Sequence, residues 1–167
     1  MPRQPSRLFA ACLIALGVGL AALPAAAGSG DWARLPGWEV AKTAHDYKTL
    51  IGRLDQAVKA NKMGLVTRAS ATLGAKKLLD KTIPGNMVVG VYHPRFALRM
   101  LEASIPAGIE APIRFYITEN ADKSATLSYK TPSAVFAPYM AGNDKLKALA
   151  EELDALFAKI AAEAVGG

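Results

Sequence analysis

His93, Arg95, Arg99 and Arg114 are the residues whose types and spacing come nearest to a binding chemistry. His93-Pro94-Arg95 opens a helix, with proline at the first position, where its missing N–H is not needed. A helix N-terminus presents free N–H groups and a partial positive charge, which favours anions. Arg95 and Arg99 lie one turn apart on that helix and can point the same way. Arg114 falls on a later strand that can lie nearby. Together the four residues would hold a carboxylate, a phosphate or a sulfur oxyanion. In the alternative role, His93 only caps the helix and the arginines pair with Glu102 or Glu110.

Other chemistries have less to build on. A soft-metal site of the copper type could draw on His45 and His93 with Met63, Met87, Met100 and Met140, because thioethers suit Cu(I). The chain has no His-x-His or Met-x-x-Met cluster, and methionines at apolar positions ordinarily fill cores. No metal or other cofactor is expected. Ser104, Ser128 and Ser133 sit outside any Gly-x-Ser-x-Gly setting. Glu102, Glu110 and Glu119 stand where surface charges belong. This pattern leans away from an enzyme. Trp32, Trp38, Tyr92, Tyr116 and Tyr129 either pack a sheet or line a pocket.

The first residues prescribe an address rather than a fold. Arg3 and Arg7 precede an uncharged run from Leu8 to Leu23; Pro24 breaks it, and Ala25-Ala26-Ala27 supplies small residues for a signal peptidase. The apolar run is too short for a spanning helix, which needs about 20 such residues. Residues 1–27 are therefore read as a cleavable signal peptide, and the protein as periplasmic or secreted, without a stable membrane anchor after cleavage. Cys12 lies near the start of the apolar run, not after it, so a lipidated cysteine is not indicated.

The leader holds two of the 20 Lys and Arg, none of the 14 Asp and Glu, and the only cysteine. The mature chain keeps 18 basic and 14 acidic residues, a formal +4. Without a thiol, no disulfide and no cysteine chemistry is possible there. The basic residues concentrate between Lys42 and Arg99, a surface that would attract anionic lipid, glycan or small anions. No aromatic-rich basic motif points to nucleic acid.

These residues must be positioned by a single domain. Residues 28–37 are read as a flexible lead-in and 38–165 as the globular part. Trp38 to Ala44 alternates as a strand does. Tyr47, Leu50, Ile51, Leu54, Ala57 and Val58 recur at helical spacing, with His45 or Asp46 as cap. Leu65–Thr72 reads as a second strand, Leu73–Lys81 as a short helix, and Met87–Tyr92 as a third strand placed centrally. The helix from Pro94 comes next, then a loop over 106–112. Ile113–Thr118 and Ala125–Lys130 form a hairpin. Residues 132–143 are irregular or one helical turn. Leu146, Leu149, Leu153, Leu156, Phe157 and Ile160 stripe a final helix. Strands and helices mixed in this way give α+β: a mostly antiparallel sheet with helices packed on one face.

Four stretches give the chain a likeness. The helix around His45-Asp46-Tyr47 ends in a Met63-Gly64 turn. Val88-Val89-Gly90-Val91-Tyr92 runs into His93-Pro94-Arg95-Phe96. Ala111-Pro112-Ile113-Arg114-Phe115 begins a proline-led strand, and Ser128-Tyr129-Lys130-Thr131-Pro132 makes a tyrosine-then-proline step. Together they resemble the DUF302 family, a bacterial domain of unknown function, over Trp38 to Ala162. His93 stands where that family commonly has asparagine. The resemblance implies a TBP-like α+β fold and a homodimer, and it brings no catalytic residues. The reading is thus an exported, non-enzymatic binding or accessory domain for a small anion. The alternative is an enzyme or a copper-type metal-handling protein centred on His93.

Overall fold

Alternation along the strands hands one face of a single sheet to the core and leaves the other to different work. The computed structural model describes residues 32–166. The expected signal peptide, residues 1–27, and Gly28-Ser29-Gly30 lie outside the described residues.

In chain order the elements are β1 (Trp38–Asp46), α1 (Tyr47–Ala60), β2 (Gly64–Ala69), α2 (Ala71–Leu79), β3 (Asn86–Tyr92), α3 (Pro94–Ala103), β4 (Ile113–Glu119), β5 (Ser124–Lys130), α4 (Pro132–Phe136) and α5 (Asp144–Val165). The five strands form one antiparallel sheet in the order β1-β5-β4-β3-β2. The fold is α+β, as its sequence pattern implies, and β3 lies inside the sheet between β4 and β2.

Odd-numbered positions carry the core. Val89 lies opposite Phe115 and Ile117 opposite Leu127, and all four are buried. They pack with Leu50 and Leu54 of α1, Phe96 and Met100 of α3, Phe136 of α4, and the stripe Leu146, Leu149, Leu153, Phe157 and Ile160 of α5. Phe157 stacks on Phe115 with ring centres 4.8 Å apart and planes within 12°. Leu156, expected in the stripe, is only half-buried. Arg53 fastens α1 to the end of α5: its Nε donates to the Ala164 carbonyl at 2.7 Å and an Nη donates to that of Glu163 at 3.1 Å. A cation there also complements the negative end of the helix.

Caps explain most helix starts. Asp46, not His45, takes the first cap, accepting the Thr49 N–H at 2.9 Å. Ser70 does the same for α2, accepting from Leu73, so the helix begins earlier than expected and strand β2 ends at Ala69. The expected loop at 106–112 contains a 3-10 helix, Pro106–Glu110, and the irregular stretch after Pro132 holds α4 and a 3-10 turn, Ala137–Tyr139. Trp32–Arg34, within the expected lead-in, also form a 3-10 turn.

Candidate functional site

Three of the four residues expected to bind an anion, His93, Arg95 and Arg99, gather around the Phe96 ring on α3, and Arg114 does not join them. His93 is the cap of α3, and its Nδ1 accepts the Arg95 N–H at 3.1 Å. The N–H groups of Phe96 and Ala97 both donate to the His93 carbonyl, at 3.0 and 3.1 Å, and Pro94 has none to give. The first turn of α3 therefore satisfies its own donors. Arg95 lies over the Phe96 ring, 4.7 Å from its centre. Arg99 pairs with Glu152 of α5 at 2.7 Å, not with Glu102 or Glu110. Glu110 instead accepts the Tyr139 hydroxyl at 3.0 Å.

Arg114 is on the other side of the sheet. Ile113, Phe115 and Ile117 are buried against the helices, so Arg114, Tyr116 and Thr118 must point the opposite way. The signal for this separation is the alternation of Ile113-Arg114-Phe115-Tyr116-Ile117 itself, combined with helices on one face only.

That second face builds a groove. Its rows match the register: Val40, Ser128, Tyr116 and Val88 lie side by side, and so do Lys42, Thr126, Thr118 and Asn86. The Trp32–Arg34 turn folds back over it, setting the Trp32 ring 5.9 Å from that of Trp38 and 5.4 Å from that of Tyr116. Two lobes result, with Asn86 and Tyr116 bordering both. One, of about 620 Å³, lies between Trp32, Lys42, Asn86 and the Glu119–Ser124 turn. The other, of about 450 Å³, is walled by Trp38 and Tyr116 and edged by Arg114, Lys130 and Glu110.

Hydrogen bonds fix the floor. The Asn86 side-chain amide donates to the Tyr116 hydroxyl. Thr126 is buried and donates to the Asn120 side-chain oxygen at 3.0 Å. Glu119 accepts the Gly85 N–H at 2.8 Å and pairs with Lys123 at 3.1 Å; these contacts, Gly85 first, hold its carboxyl below the usual range. The hydrogen bond from Tyr139 to Glu110 raises the tyrosine's pKa. Lys130 places its ammonium 5.8 Å over the Trp38 ring. Among the described residues, Arg114 forms no ion pair and no side-chain hydrogen bond. The lobe thus offers two cations beside an aromatic wall, a combination that suits a flat apolar body with an anionic head.

Metal donors are gathered less well. Among the described residues no group of three or more His, Cys, Asp or Glu side chains could hold an ion. His93, Met63 and Met100 do border one small cavity of about 30 Å³ on the core side. The sequence marks Trp32, Trp38 and Tyr116 as possible pocket walls but gives no such sign for Lys130 and Asn86. Their strand parity is legible in the chain; the fold-back of Trp32 is not.

Comparison with known proteins bears on the fold. The crystal structure of an uncharacterized conserved DUF302 protein from Bacillus stearothermophilus superimposes with a TM-score of 0.68 at 16% identity, covering 77% of this chain and 98% of that one. At that identity the likeness concerns the fold alone. No curated protein matches the chain. The family model for DUF302, a domain of unknown function, matches residues 39–164. Nearly the whole described domain, including both lobes of the groove but for Trp32 and Trp38, falls within that span, and the chain belongs to the DUF302 family.

Proposed function

We propose that this protein is an exported, non-enzymatic binding domain whose groove on the sheet face opposite the core takes a small ligand with a flat apolar body and an anionic head. The observation that carries this reading is Arg114, an arginine without a protein partner among the described residues, set beside Lys130, Trp38 and Tyr116. An unpaired guanidinium matches a carboxylate or phosphate in a bidentate way. Binding rather than turnover fits the acids present, since Glu110 is engaged by Tyr139 and Glu119 by Gly85 and Lys123. The leader at residues 1–27 supports export, and N-terminal sequencing of cellular material should begin near Gly28; a chain beginning at Met1 would refute it.

Melting temperatures with benzoate, phenyl phosphate and inorganic phosphate test the ligand class. The two aromatic anions should raise the melting temperature in proportion to the logarithm of their concentration, and phosphate alone less so. Equal shifts in Arg114→Ala, or none in the wild type, would defeat the reading.

The domain acts as a homodimer in this proposal. Leu98, Leu101, Ile105 and Ile109 form an exposed apolar strip along α3 and the 3-10 helix after it, with little net charge because Arg99 is paired with Glu152. A second reading, a copper-type site, has one observation in its favour: His93, Met63 and Met100 share a cavity. Competition with a Cu(I) chelator, repeated on Met100→Leu, decides it.

A further inference from the structure

The structure points to a second surface: we propose that α2 and the segment after it dock the protein peripherally on an anionic lipid membrane. Among the described residues, α2 is the one helix of nine or more residues without a buried side chain. Leu73 is 68% exposed, Leu78 79% and Leu79 67%, and Ile83 beyond them 36%. Such a helix adds little to the core that holds the fold. It is nevertheless well formed. Ser70 caps its start, Asp80 ends it in the left-handed region at φ 49°, and the Thr72 hydroxyl ties it to the Pro84 carbonyl at 2.9 Å. A rigid helix that keeps three leucines in water presents them to something outside the molecule.

Charge selects the occupant. Lys76, Lys77 and Lys81 stand among these leucines; the only acid in the segment, Asp80, is paired with Lys76 at 2.6 Å, which leaves Lys77 and Lys81 uncompensated among the described residues. At about 3.6 residues per turn Leu78 and Leu79 fall on the side of α2 away from Leu73, so the C-terminal end of the helix would insert, with Lys77 and Lys81 adjoining these two leucines in sequence at headgroup depth. A second copy of this chain would bring the same three lysines against each other, which opposes pairing through α2. An anionic bilayer offers hydrocarbon for the leucines and phosphates for the lysines. The strip at Leu98 and Ile109 lacks this basic frame and is a different surface. One short helix gives a reversible, salt-sensitive association rather than an anchor.

The test is co-sedimentation of the chain from Gly28 to Gly167, which contains the whole described sheet and core, with phosphatidylglycerol–phosphatidylcholine vesicles and with phosphatidylcholine alone. Binding to the anionic vesicles at low salt and release at high salt are expected. Leu78→Ser with Leu79→Ser, and separately Lys76→Gln with Lys77→Gln and Lys81→Gln, should each weaken binding by roughly tenfold or more while leaving the circular dichroism spectrum unchanged. Failure of the wild type to sediment with anionic vesicles, or wild-type binding by both variants, overturns the proposal. So does a dimer in solution that the leucine variant dissolves, because α2 would then be covered by a second copy.

Discussion

The Trp32 ring rests 5.4 Å from the ring of Tyr116, joining the segment before the first strand to the middle of the sheet. This contact roofs one lobe of the groove and brings both tryptophans of the chain to the same face. Trp32→Ala should open that lobe, lower the emission that reports on the groove, and cost about 1–2 kcal/mol in urea denaturation, as the loss of paired aromatic contacts implies. An unchanged midpoint would mean that the turn contributes nothing to the sheet.

The core face is held by different contacts. Phe157 is buried and stacks on Phe115 between the long helix and the central strands. Phe157→Ala should destabilise by about 3–5 kcal/mol, the loss of buried area plus a cavity that neighbours fill poorly. Measured by denaturant unfolding, a loss below about 1 kcal/mol would show the site able to collapse.

Acid should weaken the fold in part through Glu119. Its folded-state pKa lies below the ordinary value because of Gly85 and Lys123. A lowered folded pKa gives stability that is present above the unfolded value and is lost as pH falls through the folded one. The contribution is therefore constant at neutral pH and disappears as pH falls below about 4.3, the ordinary glutamate value. Melting temperatures of Glu119→Gln should fall less steeply between neutral and acid pH than those of the wild type. Asp46 and Asp122, also lowered by their hydrogen bonds, keep the variant's curve from becoming flat.

Oligomeric state has its own variant. Ile105→Asp with Ile109→Asp alters two highly exposed side chains that the core does not use. Light scattering at micromolar concentration should give a dimer for the wild type and a monomer for the variant. A monomeric wild type would rule the dimer out.

The elements are legible where one residue type can satisfy only one partner. The period-two pattern of Ile113 to Ile117 marks a strand with one buried face, and the leucine stripe from Leu146 to Ile160 marks a helix on a core. Pro94 announces the start of α3. Ser70 starts α2 less visibly, because serine and threonine suit a strand as well as a cap. The proposed binding face is harder to read. His93, Arg95 and Arg99 are close in sequence and so suggest a site, yet each has a nearby structural partner: the Arg95 N–H, the Phe96 ring and Glu152. The groove joins Trp38, Asn86, Arg114 and Lys130 from four strands, and no local pattern announces which strands will be neighbours. Only the sheet order does that.

The most direct measurement uses the two tryptophans, both of which border the groove. Titration of the protein with phenyl phosphate, monitored by intrinsic fluorescence, should give a saturable change in the wild type. Arg114→Ala should weaken it by roughly tenfold or more, as loss of a charged hydrogen-bonding partner implies. His93→Ala should lose about 1 kcal/mol of stability with its cap and leave the titration where it was. If His93→Ala abolishes the response and Arg114→Ala keeps it, the ligand binds at the start of α3 and the groove is not the site.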